Sequence, residues 1–404
     1  MNETEGKQIV DDCQYRQYSV DDIRLFRENL DTVIIAPYND NQVKGVGYNL
    51  TASNMIYSLT QHKLLTIYSY KDGRYFKLKA HDTALILTYE YFQLDSKVAG
   101  NFYSRVRRVS EGLGHISTTL DPNWKGMFLI AVNNTTNRKL KVQISSIFEG
   151  QEEKNGIATV VLRGVKASEY QQHSELDGFS IDNPAMRIDI LKELAYEPFR
   201  FFHRRGYNNF KQLVKELDCF QPHNTPLTND INEIKNKLIQ IRNELMYKNN
   251  ISEAQSLISS LNWFDFDKNN QLKHKINALK KYLDMPPHEM YDERLKVDDL
   301  ITLLKKECDY ILLCEAVKQI HEIIDKHVVF HHKFGNTKQL LLKIIVNLSF
   351  ILTLVSMIFL IFIFIKAFFN NNPLNTQSIY SSIAVSLITA LIGLLLKRVN
   401  KIQD

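Results

Sequence analysis

From residue 32 to residue 165 the sequence breaks into short runs rich in β-branched and aromatic residues: TVIIAP, GYNLTAS, KLLTIYS, YFKLKA, TALILTYEYFQL, HISTTL, MFLIAV, KLKVQISSIF and IATVVLRGV. Turn-forming clusters such as YNDNQ, KDG, NNTTN and EEKNG separate several of them. Many short strands joined by polar turns predict a sandwich or barrel, not alternating βαβ units. Ser19 stands as an N-cap before VDDIRLFRENL, a short amphipathic helix. The β-domain is therefore expected over residues 19–170, after a polar tail at 1–18 that has no apolar signal-peptide core.

Further along, the period changes. Residues 171–185 carry Asp177-Gly178 and Asn183-Pro184 and read as a linker. Residues 186–335 read as an α-helical connector: Ile231, Ile234, Leu238, Ile241 and Leu245 recur at steps of three and four, one apolar face suited to a bundle or coiled coil. Two uncharged apolar runs follow, at 344–365 and 379–396, joined across FNNNPLNTQS. At about 1.5 Å per residue the first extends about 33 Å, enough for a hydrocarbon core of about 30 Å, and the pair predicts two transmembrane helices. Lys333, Lys338 and Lys343 before the first run, and Lys397, Arg398 and Lys401 after the second, place both termini in the cytoplasm. The expected location is the inner membrane of a bacterium, with the lipid bilayer as a partner.

The formal charge of +5 on 404 residues gives no argument for nucleic acid. Cys13, Cys219, Cys308 and Cys314 are scattered without a C-x-x-C pair, which argues against a zinc site or a disulfide framework. His321-Glu322 has its next histidine at His327, the wrong helical face for H-E-x-x-H. No metal site is expected.

The stretch SVDDIRLFRENLDTVIIAPYNDNQVKGVGYNLTAS resembles the opening of dCTP deaminases, members of the dUTPase-like fold. In that family a short helix leads to a strand, a proline and a GYDL-like segment. Here that segment is Gly47-Tyr48-Asn49-Leu50, with Asn49 where Asp is usual. LILTYEYFQLDSKVAGNFYSRVRRVSEGLGHISTTLDPNWKGMFLIAVNN resembles the family's central block: an S-x-x-x-R element, an I-D-P-G-[FW]-x-G turn and a strand reading L-E-x-x-N. The resemblance runs from Ser19 to Val165 and implies an all-β distorted barrel or jelly roll. The expected fold class is a multidomain membrane protein: that barrel, the α-helical connector and a C-terminal two-helix transmembrane hairpin. On the same resemblance residues 171–185 are a linker or a rebuilt lid.

Carried over residue by residue, the resemblance gives Ser104 and Arg108 the S-x-x-x-R role of holding nucleotide phosphates at a subunit interface. Arg105 and Arg107 add charge beside them, and Tyr103 stands where the family has an arginine. A hydroxyl and a guanidinium fork suit phosphate oxygens, although the same run read alone is a solvated basic face. Asp121 matches the aspartate that meets the deoxyribose and, in the dUTP-hydrolysing branch, helps position water. Read alone, Asp121-Pro122 is equally a turn starter.

Deamination needs a carboxylate to activate water and move its proton. The L-E-x-x-N glutamate position is occupied by Ala131; Glu90 and Glu111 are the nearest alternatives, in other segments. The zinc-deaminase motifs H-x-E and P-C-x-x-C are missing as well.

These readings lead to an expected function. The chain would be a membrane-anchored nucleotide-binding sensor or effector with a deaminase-inactive domain, suited by analogy to bacterial antiphage defence. Two alternatives stand beside it: an active membrane-tethered dCTP deaminase or dUTP diphosphatase working through Asp121, and a trimeric scaffold with a vestigial pocket. The expected ligand is a deoxynucleotide or related phosphate, and the expected assembly a homotrimer. No cofactor is expected, except Mg2+ accompanying a nucleoside triphosphate.

Overall fold

Ser19 starts the fold as a capping residue. Its hydroxyl accepts from the Asp22 N–H at 3.2 Å, and the Asp22 carboxylate accepts from the Ser19 N–H at 2.7 Å, a reciprocal box that opens helix α1 (Val20–Asn29). Ile23 and Phe26 turn into the core, and Leu30 closes the helix in the left-handed region. The computed structural model describes residues 16–115, 118–148, 151–166, 188–196, 205–265, 269–286 and 293–332.

The strands are β1 (Val33–Ala36), β2 (Val43–Lys44), β3 (Gly47–Ser58), β4 (Lys63–Leu64), β5 (Ile67–Tyr70), β6 (Gly73–Leu78), β7 (Thr83–Leu94) and β8 (Val98–Ser104). After the short helix α2 (Val106–Ser110) come β9 (Leu113–His115), β10 (Thr119–Leu120), β11 (Lys125–Asn134), β12 (Leu140–Gln143), β13 (Ser145–Phe148), β14 (Gln151–Lys154) and β15 (Gly156–Gly164). Among the described residues the main antiparallel system runs β10–β8–β15–β3–β7–β11–β9, with β1 on β7 and both β2 and β4 on β3. A smaller sheet runs β12–β6–β5, and β13 pairs with β14.

β3 is buried at every position although it carries five polar side chains between Asn49 and Ser58. Burial of a polar group is tolerated when it is hydrogen-bonded, and most of these are. Thr51 bonds Glu90, Ser58 donates to Asp82 at 2.7 Å, Asn49 accepts from Thr159 at 2.8 Å, and Asn54 donates to Asp325 at 2.8 Å.

The remaining helices are α3 (Ile188–Tyr196), α4 (Arg205–Asp218), α5 (Pro226–Asn243), α6 (Ile251–Ser259), α7 (Asn270–Leu283) and α8 (Arg294–His327), followed by β16 (Phe330–His332) beside β5. They divide between two apolar cores. α3, α4 and the second half of α8 contribute Leu191, Phe210, Leu213, Val317 and Ile320 to the core of the β-sheets. The first half of α8 packs with α5, α6 and α7 around Ile234, Leu238, Ile276 and Ile301.

The two cores meet at a buried ion cluster. Arg27 of α1 and Lys275 of α7 reach Glu307 of α8 at 2.8 and 2.9 Å, and the Arg27 guanidinium lies 4.0 Å over the Tyr310 ring. Burial by itself would raise the Glu307 carboxyl; the Arg27 and Lys275 cations hold it below its usual value. Tyr310 donates to the Ile35 carbonyl at 3.1 Å and accepts from the Tyr38 N–H at 2.9 Å, fastening α8 to the end of β1.

The expected membrane architecture is corrected here. No helix among the described residues is long and apolar enough to cross a membrane. The longest, α8, has 34 residues, but lysines, aspartates and glutamates recur along it and its apolar residues pack against protein. The two-span inner-membrane location, the cytoplasmic termini and the bilayer partner are therefore not supported. The runs at 344–365 and 379–396 lie outside the described residues. The chain divides into two units, Met1–His331 and His332–Asp404.

Candidate functional site

The turn between β10 and β11 builds one end of the site. Asn123 adopts φ 59, a conformation asparagine tolerates well, and donates its N–H to the Asp95 carbonyl at 3.1 Å. Leu94 donates its N–H to the Trp124 carbonyl at 2.8 Å, so the turn is clamped on the end of β7. The Trp124 indole donates to the Gly126 carbonyl at 3.1 Å, and its ring lies 5.4 Å from that of Phe128. Beside this turn the Asp95 carboxyl is pushed up to about 6 by burial.

Beside this turn a cleft of about 360 Å³ opens, lined by Phe102, Leu120, Trp124, Phe128, Leu129 and Ile190 among others. Thr118 and Thr119 supply its polar side chains. Asp121 follows Leu120 and is exposed. Leu120 pairs with Gly100, and Ser104 lies about 13 Å further along β8 at about 3.3 Å per residue. Phe102 and Ser104 share a face of that strand, as residues two apart do. Asp121 and Ser104 therefore lie well apart, next to the cleft residues Leu120 and Phe102 in the chain.

At the Ser104 end the arginines divide their work. Arg105 donates to the Gly156 carbonyl at 2.9 Å. Arg108 is buried: its Nε donates to the same carbonyl at 3.3 Å, one terminal nitrogen meets Glu111 at 3.1 Å and the other donates to the Gln143 carbonyl. Ser104 and Arg107 are exposed. Burial, then the neighbouring Arg108 and Arg107 cations, depress the Arg105 guanidinium below its ordinary value. The cluster is thus a concentration of positive charge next to an exposed hydroxyl.

Ala131 has a specific setting. It pairs across the sheet with Leu85, and Leu85 pairs on its other side with Tyr57. Directly paired residues share one face, so Tyr57, Leu85 and Ala131 form a row. Phe210 of α4 covers Tyr57 with ring centroids 4.1 Å apart, and Ile190 of α3 meets Leu85 in the cleft wall. Where the deaminase pattern has a carboxylate, this chain has an alanine in line with Leu85 and Tyr57.

Neither alternative glutamate takes its place. Glu111 pairs with Arg107 and Arg108. Glu90 is buried between β3 and β7, accepting from the Thr51 N–H at 2.9 Å and the Thr51 hydroxyl at 2.6 Å. Burial pushes its carboxyl up to about 7, against the pull of those two bonds. A single carboxylate inside the apolar strand TALILTYEYFQL was the visible signal for such a group. The asparagine that matches L-E-x-x-N, Asn134, organises the following turn: its amide donates to the carbonyls of Leu78, Lys79 and Arg138, and its oxygen accepts from Thr136.

Among the described residues no group of three or more His, Cys, Asp or Glu is placed to hold a metal ion. His321 stacks on Tyr89 with centroids 4.1 Å apart and is held neutral by burial, its pKa lowered to about 3. His327 lies 3.1 Å from Glu216, and His331 stacks on Tyr68.

A family model described as dCTP deaminase-like matches residues 20–146. A dCTP deaminase of Thermococcus kodakarensis is 26% identical over 116 residues, which cover 29% of this chain and 72% of the relative. The 2'-deoxycytidine 5'-triphosphate deaminase from Agrobacterium tumefaciens is similar in structure at 10% identity and a TM-score of 0.29, over 37% of this chain and 48% of that one. The native EIAV dUTPase is similar at 14% identity and a TM-score of 0.23, over 36% of this chain and 96% of that one. Residues 20–146 form a dCTP deaminase-like domain. The helices α3 to α8 lie outside the matched segment.

Proposed function

We propose that the domain binds a deoxynucleotide and does not deaminate it. The base lies in the cleft beside Trp124, where a planar heterocycle meets Phe102, Phe128 and Trp124 and finds the Thr118 and Thr119 hydroxyls for orientation. The phosphates extend along β8 toward Ser104, Arg105 and Arg107, with Arg108 holding the Gly156 and Gln143 carbonyls beneath them. Asp121 is the proposed sugar contact on the resemblance alone. Mg2+ would enter only with a triphosphate.

One observation carries the absence of deamination: position 131 is an alanine in the row Tyr57–Leu85–Ala131. Without a carboxylate there, water at the C4 edge of a cytosine has no group to take its proton. Assembly as a homo-oligomer, a trimer by resemblance, belongs to the same proposal. Tyr103, Val106 and Val109 are exposed around Ser104 and offer an apolar strip for a second copy. The defence role expected from the sequence draws on this binding step alone.

The test is incubation of the full chain with each deoxynucleoside triphosphate, with products separated by ion exchange and binding followed by Trp124 fluorescence. Binding with every nucleotide recovered intact is the expected result. Release of dUTP or dUMP from dCTP would refute it.

A further inference from the structure

Helix α3 stands outside the deaminase-like segment, yet Ile190 forms part of the cleft wall together with Leu85, Leu129 and Trp124. All the other lining residues belong to β7, β8, β10 and β11 or their connections, whose positions the strand ladders set. α3 is held differently. Leu191 and Ala195 on its inner side are 1% and 0% exposed in the shared core. Lys192 reaches Asp218 at the end of α4 at 2.6 Å. α4 in turn sits on Tyr57 through Phe210 and is tied to the end of α8 by Asn209, which donates to the His327 carbonyl at 3.0 Å. The helix is therefore a braced wall, and Ile190, itself half-buried, is the side chain it sets into the cleft.

We infer that Ile190 is a base-positioning residue. The binding site is a composite of the deaminase-like domain and the helical layer, and a deoxynucleotide's base is held between Trp124 and Ile190. This rests on the reading that a nucleotide occupies the cleft. A branched aliphatic side chain on a braced helix gives a planar base an apolar contact in the same cleft as the indole, while making no contact with phosphate. Its contribution goes to the base alone, and that separates a positioning role from a general structural one.

The test is calorimetric titration of the full chain with dCTP, dUTP, dTTP and, separately, inorganic tripolyphosphate. Ile190→Ala should weaken the best deoxynucleotide by up to about sixtyfold and Ile190→Val by about fourfold, following about 0.8 kcal/mol for each carbon removed from contact. Tripolyphosphate affinity should stay at the wild-type value in both. The Val variant changes a single methylene and keeps the measurement interpretable if the Ala variant folds poorly. Equal deoxynucleotide affinity in wild type and Ile190→Val and Ala variants would overturn the inference, and so would an equal loss for deoxynucleotide and tripolyphosphate. A wild-type chain that binds no deoxynucleotide overturns the nucleotide reading and this inference with it.

Discussion

Glu90 is a carboxyl buried between two strands, and Glu90→Gln isolates its effect on stability. Burial raises its pKa from 4.5 to about 7 in the folded chain. Each tenfold change in proton affinity corresponds to about 1.4 kcal/mol, so the rise amounts to about 3 kcal/mol. Between pH 4.5 and 7 the folded chain keeps a proton that the unfolded chain releases. The contribution is fully present below pH 4.5 and is lost as pH rises through 7. Glutamine preserves the shape, its carbonyl oxygen can accept from the Thr51 N–H, and it does not ionise. Urea unfolding followed by tryptophan fluorescence from pH 5 to 8.5 should show the wild type losing stability relative to Glu90→Gln as pH rises. The variant should be ahead by about 3 kcal/mol at the top of the range, on the same arithmetic. Other carboxyls titrate in both proteins and cancel in the difference. Parallel pH profiles for the two chains would refute the assignment of the raised carboxyl to Glu90.

Four further outcomes follow from the same structure. Ala131→Glu should destabilise the chain by about 1 kcal/mol, because the new carboxylate stands beside Leu85; urea unfolding checks it. Arg108→Ala should lower stability by about 2–3 kcal/mol in urea, as the Gly156 and Gln143 carbonyls lose charged donors. Ser104→Ala and Arg107→Ala should leave Tm in place and weaken nucleotide binding, with a reduced salt dependence for Arg107→Ala in titrations at different ionic strengths. Glu307→Gln should cost about 3–5 kcal/mol, since it leaves Arg27 and Lys275 facing each other without their counter-charge; a loss under 1 kcal/mol in urea unfolding would contradict the buried cluster.

Much of the β-domain was legible because strand signals are local. Runs such as TALILTYEYFQL and MFLIAV have the length and residue types of strands, and Ser19 with Asp22 three residues later is a short-range capping signal. The proposed site was legible in part. Ser104, Arg105, Arg108 and Asp121 could be picked out as residue types in a familiar order, and Ala131 as a missing carboxylate. Which of three neighbouring arginines faces solvent could not be picked out. Arg108 is turned inward by the carbonyls of Gly156 and Gln143, which lie far from it in sequence. The cleft was equally out of reach, since its walls come from segments between Leu85 and Ile190.

The apolar runs near the C-terminus led to a membrane hairpin that no described helix supports, because hydropathy over a window reports composition alone. The same limit applies to α8, whose periodic apolar residues look alike along its length while its two halves pack into different cores. Taken by itself, the sequence determined element types, the cap of α1, the order of the deaminase-like motifs and the loss of the carboxylate at 131. Each of these depends on neighbours within a few residues. Only the tertiary structure decided that Phe210 of α4 covers Tyr57 and Ile190 of α3 lines a cleft with Leu85, that Glu90 is a buried and raised carboxyl, and that Arg27, Lys275 and Glu307 join two cores. These depend on burial and on charges brought together from distant parts of the chain, which local pattern does not encode.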